Sequence, residues 1–429
     1  MRQFLYISPY FAPQSQVGAL RPLKFSRHLP ALGWQPVILA DLWPSDRTDR
    51  AMLQQVPADA LVIRDYSAKA APTWQSWQTQ GDGAQPTENK PKLASWTDRN
   101  LPAWLNNPEL VPLGEHSVDL PHARQAALKV IRDYPGIEAI VVNADPYAAL
   151  LLGADLKRST GLPLVLDLRD PWSVCQARRP RRPLPMRWLE DRLERWCVER
   201  ADRVILNTAN TLADYLRHYA DLPTDKFTFI RNHFDRELVN QGTHPGFDRF
   251  TLLFLGRFDR LLPPDMLLQV LVELARRGVA PEQLQLVITG DFSQAAWQQA
   301  RALGVDRYVV LHPHVPYHAI GPVMAAADLL VLMVVPGVTQ RVNAKFYDYM
   351  SAERPVLAIA DNPEVEQMLN DSAAGQMLRH GDVAGVADAV QAELARGRQR
   401  AVPRQPIGVS SPEAAAKLAQ ILQQVARPK

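Results

Sequence analysis

The sequence predicts an α/β protein with two Rossmann-like domains, each a doubly wound parallel sheet. Short apolar runs such as Phe4–Ser8 and Pro36–Ala40 flank an amphipathic segment, Ala19–Leu32, and this order is typical of a strand–helix–strand unit. The same alternation begins again at Phe250–Leu255, after a Pro-Gly turn at residues 245–246. The chain has 429 residues, which is enough for two domains with separate cores.

Further apolar runs fit strands of a parallel sheet, because such strands are covered on both faces. In the first half they lie at Leu61–Tyr66, Glu138–Ala144, Leu162–Leu168, Val204–Asn207 and Phe227–Ile230. In the second half they lie at Leu284–Thr289, Val309–His312, Asp328–Val335 and Pro355–Ala360. Helices are predicted at Tyr147–Thr160, Pro264–Arg277 and Ser411–Ala426. We expect domains at residues 1–240 and 241–410, and a helix at 411–429 that returns to the first domain.

A long segment, residues 67–121, differs from its surroundings. It holds four of the ten tryptophans and many prolines, and it has little periodicity. Loops of this length are usually functional or disordered, and tryptophans argue against full disorder. Two interpretations stay open: a flap over a binding site, or a partly ordered surface excursion.

Composition limits the class of protein. Apolar residues make up 47% and charged residues 22% of the chain, and the net charge of +3 is too small to indicate nucleic-acid binding. Cys175 and Cys197 fit no metal or redox spacing, so two reduced thiols and no metal site are expected. No apolar stretch is long enough to span a membrane, and the first residues resemble a strand more than a signal peptide. We therefore expect a cytoplasmic protein.

The stretch 337–355 has the strongest site character. It connects two apolar runs through a polar loop and a short helix that opens near Asn343. A helix start presents free N–H groups and the positive end of a dipole, which together suit phosphate. Arg341 and Lys345 add cations, and Asp348 lies one turn after Lys345. These groups would suit a nucleoside diphosphate and its ribose.

Two places in the first half are further candidates. Gly18 precedes the first helix and would let a diphosphate approach the backbone, or it is a plain turn glycine. The loop has no G-x-G-x-x-G, which disfavours a dinucleotide oxidoreductase. Asp167, Arg169 and Asp170 follow a strand at the edge where α/β sheets hold ligands. An Asp–Arg pair that only fixes the loop is an equal alternative.

The segment Arg178–Arg203 is rich in arginine. It has nine arginines and five acidic residues, and a helix within it carries Trp188 and Trp196. A basic, aromatic-bearing helix fits an anionic membrane surface, here the inner face of the membrane. A solvated, charged face is the alternative that the sequence leaves open.

The ordered motifs resemble a known family. SPYFAPQSQVGALRP, DLRDPW, ADRVILNT, RNHFD, LGRFD, VITGD and AKFYDYMSAERPVLA occur in that order between Phe4 and about Asp382. Their order and spacing are similar to those of the retaining glycosyltransferase family 4, of the GT-B fold. The resemblance implies two Rossmann-like domains that face a cleft, with the acceptor bound by the first and a nucleoside diphosphate sugar by the second. It implies no metal and no cofactor.

The resemblance also implies roles for residues. Arg257 matches the arginine that contacts the donor diphosphate, and Gly18 matches a glycine of the first phosphate loop. Asp348 matches the acid that holds the ribose, and Val315 lies in the loop that often reads the base. The full expected site is Asp170, Arg257 and Lys345 for catalysis, and Gly18, Arg257, Arg260, Val315, Asn343, Lys345 and Asp348 for the donor.

Three positions depart from the family pattern. Leu262 stands where a lysine is usual, and Gln340 stands where the first acid of the pair is usual. The first loop has one glycine where two are common. Arg260 or Lys345 would have to supply the missing cation, or the grip on the donor is weaker.

The sequence thus favours a hexosyltransferase-type enzyme that moves a sugar from a nucleotide donor to a glycan or lipid-linked glycan. A catalytically silent GT-B scaffold is the main alternative, because of Leu262 and Gln340. An epimerase or a pyridoxal-phosphate-dependent phosphorylase on a similar fold is a third.

Overall fold

A computed structural model describes residues 1–41, 48–79, 115–144, 146–258, 262–313 and 315–426. Contacts divide the chain into two compact units. The first unit comprises Met1–Asn232 and Ser411–Lys429, and the second comprises His233–Ser410. The sequence places this boundary at residue 240, which lies inside the second unit.

The first unit is built on a parallel sheet of seven strands in the order β3-β2-β1-β4-β5-β6-β7. The strands are β1 Arg2–Ile7, β2 Trp34–Ala40, β3 Leu61–Arg64, β4 Ile137–Ala144, β5 Leu164–Leu168, β6 Arg203–Leu206 and β7 Phe227–Phe229. The helices are α1 Val17–His28, α2 Ala70–Thr79, α3 Leu120–Asp133, α4 Ala148–Thr160, α5 Leu184–Arg200 and α6 Ala209–His218. The strand order reverses between β1 and β4, so loops leaving these two strands lie at the topological switch point.

The sheet of the first unit is covered closely by its helices. Its central strands are buried along their length, as expected for parallel strands with helices on both faces. Gly153 lets α4 approach the sheet, since a Cβ there would come within 2.5 Å of Val142 Cγ2. A larger residue at Gly153 would force α4 away from β4.

The C-terminal helix, α14 Ser411–Val425, belongs to the first unit and contacts α1. It buries an apolar face that includes Leu418 and Leu422.

The predicted loop 67–121 is helical at both of its described ends. Helix α2 begins at Ala70, and a 3-10 turn at Glu115–Asp119 leads into α3. Trp74 and Trp77 stack on each other with ring centroids 5.5 Å apart. The other two tryptophans of that segment, Trp96 and Trp104, lie outside the described residues.

The second unit has a parallel sheet of six strands in the order β10-β9-β8-β11-β12-β13. The strands are β8 Phe250–Leu255, β9 Leu284–Thr289, β10 Val309–His312, β11 Leu329–Met333, β12 Val356–Ile359 and β13 Gly375–Leu378. The helices are α7 Arg236–Val239, α8 Asp265–Arg276, α9 Gln294–Ala302, α10 Ile320–Ala326, α11 Ala344–Ser351, α12 Pro363–Ser372 and α13 Val383–Ala395. The two sheets make the protein a pair of Rossmann-like units, as the sequence predicts.

The switch point of the second sheet lies between β8 and β11, which are hydrogen-bonded neighbours. In open α/β sheets, ligands bind beyond the carboxyl ends of the strands at this point. The loops after β8 and β11 carry Gly256, Arg257 and Asn343. Within the described residues, no helix has the length and apolar character needed to cross a bilayer.

Candidate functional site

The loops after β8 and β9 touch through two glycines. Gly256 N–H donates to the carbonyl of Thr289 at 3.0 Å, and both Gly256 and Gly290 have positive φ angles, 131° and 154°. A Cβ on Gly290 would overlap the Gly256 carbonyl oxygen. Only glycine permits this backbone approach, which fixes the loop that carries Arg257.

Lys345 reaches this loop from the first turn of α11. Its ammonium lies 4.3 Å from the centroid of the Phe254 ring, and a Cβ on Gly256 would come within 2.5 Å of Lys345 Nζ. Burial lowers the pKa of the ammonium from 10.5 to about 8. Among the described residues, Lys345 forms no salt bridge. A half-buried cation with a π face on one side and a backbone loop on the other is poised to receive an anion.

Arg257 has a different environment, because it is exposed to solvent. Its guanidinium lies 3.9 Å from Asp291, and the side chains are 61% and 75% exposed. An ion pair of this kind contributes little and holds neither partner in place. Arg257 is therefore available to turn toward a ligand at the switch point.

Two asparagines hold the loop that leads into α11. Asn343 donates from Nδ2 to the carbonyl of Met333 at 2.9 Å, which ties the start of α11 to the end of β11. Asn362 donates to the carbonyl of Arg341 at 2.9 Å and accepts from the N–H of Glu364 at 3.0 Å. The Asn343 side chain thus positions the helix start. Asn362 is a positioning residue that the sequence reasoning missed.

Asp348 is buried, with 6% of the residue exposed. Tyr317 donates its hydroxyl to Asp348 Oδ1 at 2.7 Å. Burial, followed by the charge of Asp348, raises the pKa of Tyr317. Val315 is half-buried and packs on the same core as Tyr317. The expected ribose carboxylate therefore has a hydroxyl partner 31 positions away that no sequence pattern indicated.

The family departures have clear places in the second unit. Leu262 is a core residue, 7% exposed, so this position supplies no cation. Gln340 is buried, with 3% of the residue exposed, and its amide offers no carboxylate at that position. Arg260, the other candidate for the missing cation, lies outside the described residues. Among the described residues, Lys345 brings a cation to the Gly256 loop from another element.

The first unit uses one of its sequence candidates, Asp167, for internal structure. Arg21 forms a bidentate ion pair with Asp167, with both N···O distances 2.8 Å and both side chains almost fully buried. Arg21 also donates to the carbonyls of Ile230 and Arg231 at 3.0 Å. The pair joins α1, β5 and the end of β7, and Asp167 is fixed by Arg21 and not by Arg169.

Gly18 and Arg169 lie together at the switch point of the first sheet. A Cβ on Gly18 would be 3.2 Å from the Tyr10 ring and 3.6 Å from an Arg169 guanidinium nitrogen. Asn143 donates to the Gly18 carbonyl at 3.3 Å. Asp170 lies 3.6 Å from Arg169 and is a quarter exposed. These residues form a polar site at the carboxyl ends of β1, β4 and β5.

Comparison with known proteins decides the family. The model described as Glycosyltransferase Family 4 matches residues 23–238, half of the chain. The chain belongs to glycosyltransferase family 4. A second model, Glycosyl transferases group 1, matches residues 249–396 and covers most of the second unit. The family expected from the ordered motifs is thereby confirmed.

The curated relatives have related names. The chain is 25% identical over 268 residues to D-inositol 3-phosphate glycosyltransferase 1 of Catenulispora acidiphila, which covers 59% of this chain and 63% of that one. It is 28% identical over 189 residues to D-inositol 3-phosphate glycosyltransferase of Corynebacterium aurimucosum, which covers 39% and 42%. The chain spans about half the length of the curated relatives that it matches.

Solved structures support the fold. Sucrose-phosphate synthase from Thermosynechococcus elongatus has a TM-score of 0.62 at 16% identity and covers 99% of both chains. WaaG, described as a glycosyltransferase involved in lipopolysaccharide biosynthesis, has a TM-score of 0.50 at 14% identity, with 99% of this chain and 95% of that one covered. The family 4 chain accordingly has the GT-B fold.

Proposed function

We propose that this family 4 chain transfers a sugar from a nucleoside diphosphate sugar to a glycan or lipid-linked glycan, with retention and without a metal ion. The observation that carries the proposal is the position of Lys345 Nζ beside Gly256 at the switch point of the second sheet. A half-buried ammonium that forms no salt bridge with any residue the structure describes, and that lies beside a glycine loop, suits the diphosphate of a donor.

The chemical task is to stabilise a leaving group. As the bond between the anomeric carbon and the diphosphate breaks, negative charge grows on the diphosphate oxygens, and the acceptor oxygen bonds to that carbon. Lys345 offsets this charge from a site of low polarity, where its effect is larger than in water. Arg257 and the backbone N–H groups at the start of α11 add to the stabilisation. Protein cations would thus take the electrostatic part that a metal plays elsewhere.

The other site residues have roles in binding. Asp348 holds the ribose hydroxyls, with Tyr317 orienting its carboxylate. Val315 contributes to the base pocket, and Arg260 to the diphosphate. In the first unit, Gly18 lets the donor phosphates approach, and Asp170 contacts the acceptor or the transferred sugar.

A catalytically silent scaffold is less well supported. The loss of a cation at Leu262 and of an acid at Gln340 favours such a scaffold. Lys345 supplies a cation at the Gly256 loop from a different element, so the first loss is compensated within the chain. A silent protein would have no use for an ammonium whose burial disfavours its charged form.

Donor binding is the first test. Thermal-shift measurements with UDP, GDP, dTDP and ADP sugars should show a higher Tm for one nucleotide series, because a ligand of the folded state stabilises it. Release of that nucleotide should then depend on an acceptor. The acceptor panel should contain lipid-linked glycans and D-inositol 3-phosphate, for which the curated relatives are named. Stabilisation by none of the sugars, or turnover unchanged in Arg257→Ala, would contradict the proposal.

A further inference from the structure

Helix α5 has an unusual distribution of side chains. Its inward face buries two carboxylates, Glu190 and Glu194, both at most 1% exposed. Its outward face carries Leu184 and Trp188, which are 74% and 60% exposed. These two residues are one turn apart on the same side of the helix. The first half of α5 therefore presents its largest apolar side chains to solvent, against the usual pattern of a surface helix.

The buried carboxylates are explained by local contacts. Glu190 pairs with the buried Arg182 at 3.2 Å. Glu194 accepts from the N–H of Ser173 at 3.0 Å and from the Tyr215 hydroxyl. These contacts attach α5 to the loop after β5 and to α6. They fix which face of α5 points outward, and they give no reason for the exposed Leu184 and Trp188.

The arginines near the start of α5 fall into two groups. The arginines of one group are paired with carboxylates of the protein. The buried Arg182 pairs with Glu190, and the half-buried Arg179 donates to both carboxylate oxygens of Asp191, at 2.6 and 3.0 Å. Arg178 is also held internally, by its hydrogen bond to the carbonyl of Trp172.

The second group keeps its charge at the surface. Within the described residues, Arg181 and Arg192 form no salt bridge, and Arg187 donates only to the carbonyls of Arg182 and Pro180. Arg192 lies over the Trp188 ring at 5.0 Å. Arg187 and Arg192 lie on the same helix as the two exposed apolar side chains, and Arg181 lies just before that helix. None of these arginines forms a salt bridge with a described residue. We call Arg181, Leu184, Arg187, Trp188 and Arg192 the α5 patch.

We infer that the α5 patch binds the surface of an anionic lipid bilayer. Tryptophan and leucine enter the boundary between headgroups and acyl chains, and arginines beside them contact lipid phosphates. The positive charge of the α5 patch complements anionic headgroups. Leu184 and Trp188 favour a bilayer over a soluble polyanion, because only the bilayer offers them an apolar interior. The inference rests on the proposed function only for the purpose of this membrane binding, which is to give the enzyme access to a lipid-linked acceptor.

The experiment measures co-sedimentation with sucrose-loaded vesicles of phosphatidylcholine, with and without phosphatidylglycerol. Wild type should bind the vesicles that contain phosphatidylglycerol, and added salt should weaken the binding. Each arginine near an anionic surface contributes about fivefold in affinity, so Arg181→Gln/Arg192→Gln should bind about 25-fold more weakly. Leu184→Ser/Trp188→Ser should lose the binding that remains at high salt.

Matched variants control for charge and for exposed apolar area. Arg217→Gln/Arg307→Gln removes two other exposed arginines, 77% and 71% exposed, and should bind as wild type does. Val118→Ser removes another exposed apolar side chain, 58% exposed, with the same expectation. Thermal melts of all variants should match wild type, because none of the substituted side chains is buried.

Three results would overturn the inference. The first is that wild type does not bind phosphatidylglycerol vesicles. The second is that the control variants lose as much vesicle binding as the patch variants do. The third is that wild type self-associates in sedimentation without vesicles and the patch variants do not. Nucleotide release with a soluble acceptor separates this inference from the proposed function. Patch variants should keep that activity, whereas failure of the transfer reaction itself would leave vesicle binding unchanged.

Discussion

Lys345 Nζ lies so close to Gly256 that a Cβ on the glycine would be only 2.5 Å from the ammonium nitrogen. The two residues come from α11 and from the loop after β8, on either side of the switch point. Burial makes the charged form of Lys345 less favourable and lowers its pKa to about 8. In the proposed site, the Lys345 ammonium therefore lowers the stability of the folded protein and favours the binding of an anion.

Lys345→Met should lower kcat by about 10² to 10³, the usual effect of removing one group that stabilises developing negative charge. The same variant should melt at or above the wild-type Tm at pH 7, because it removes a cation whose charged state folding disfavours. Steady-state kinetics and a thermal melt measure both effects. Lys417→Met, at an exposed position of α14, is the control, and an unchanged kcat in Lys345→Met would reject the assignment.

The pH profile of kcat/KM should fall as pH rises through about 8. This quantity reports the ionisation of the free enzyme, in which Lys345 loses its proton near that pH. Arg257 stays charged over the whole range. In Lys345→Arg the alkaline fall should disappear. A wild-type profile that is flat between pH 7 and 9 would contradict a role for Lys345 in the charged state.

The stability of the protein should show the same ionisation with the opposite sign. The folded-state pKa of Lys345 is depressed, so the unfolded chain binds more protons between about pH 8 and 10.5. The free energy of unfolding should therefore increase as pH rises through that window, because of this group. Denaturant titrations of wild type and Lys345→Met at pH 7.5 and 9.5 measure the difference, and parallel curves would show that the shift is absent.

Gly256→Ala should impair activity more than its effect on stability explains. The added methyl group would meet Lys345 Nζ and displace it, and the φ of 131° adds strain of order 1–3 kcal/mol. Gly278→Ala is the matched control, since its φ of 86° is also positive but no atom lies within 4 Å of the new Cβ. The control should lose stability and keep kcat. Equal kinetic effects in both variants would indicate a general backbone effect.

Arg21→Met should destabilise the first unit by about 3–5 kcal/mol, because it leaves the buried Asp167 carboxylate without its partner. Chemical denaturation followed by fluorescence measures the loss. Arg21→Met/Asp167→Leu should recover much of it. Arg158→Met, which breaks an exposed pair with Asp155, should cost less than about 1 kcal/mol. A loss of similar size in both single variants would argue against a special role for the buried pair.

Strands covered on both faces were predictable because they read as uninterrupted apolar runs. Phe250–Leu255, Leu284–Thr289 and Val309–His312 have the same limits in the sequence prediction and in the structure. Strand β13, Gly375–Leu378, was missed, because an edge strand with exposed glycine and glutamine lacks that signal. Helix α2 was missed inside a segment whose prolines and tryptophans obscure the helical period.

The site was predictable where it depends on position along one element. The start of α11 and the loop after β8 are both visible as polar residues that follow buried strands. Partners that meet through the fold were not visible, as with Tyr317 and Asp348, or Arg21 and Asp167. The two members of the latter pair are 146 positions apart, so spacing carries no information about them. Such contacts depend on the order of the strands in the sheet, and the local sequence pattern does not reveal that order.

The return of α14 to the first unit has a consequence for how the protein is made. The ribosome completes the whole second unit before it synthesises the helix that covers α1. Domains generally fold as units during synthesis, so the second unit can fold while the first still exposes the apolar surface that Leu418 and Leu422 will cover. The native first unit is thus completed last, although most of its residues are translated first.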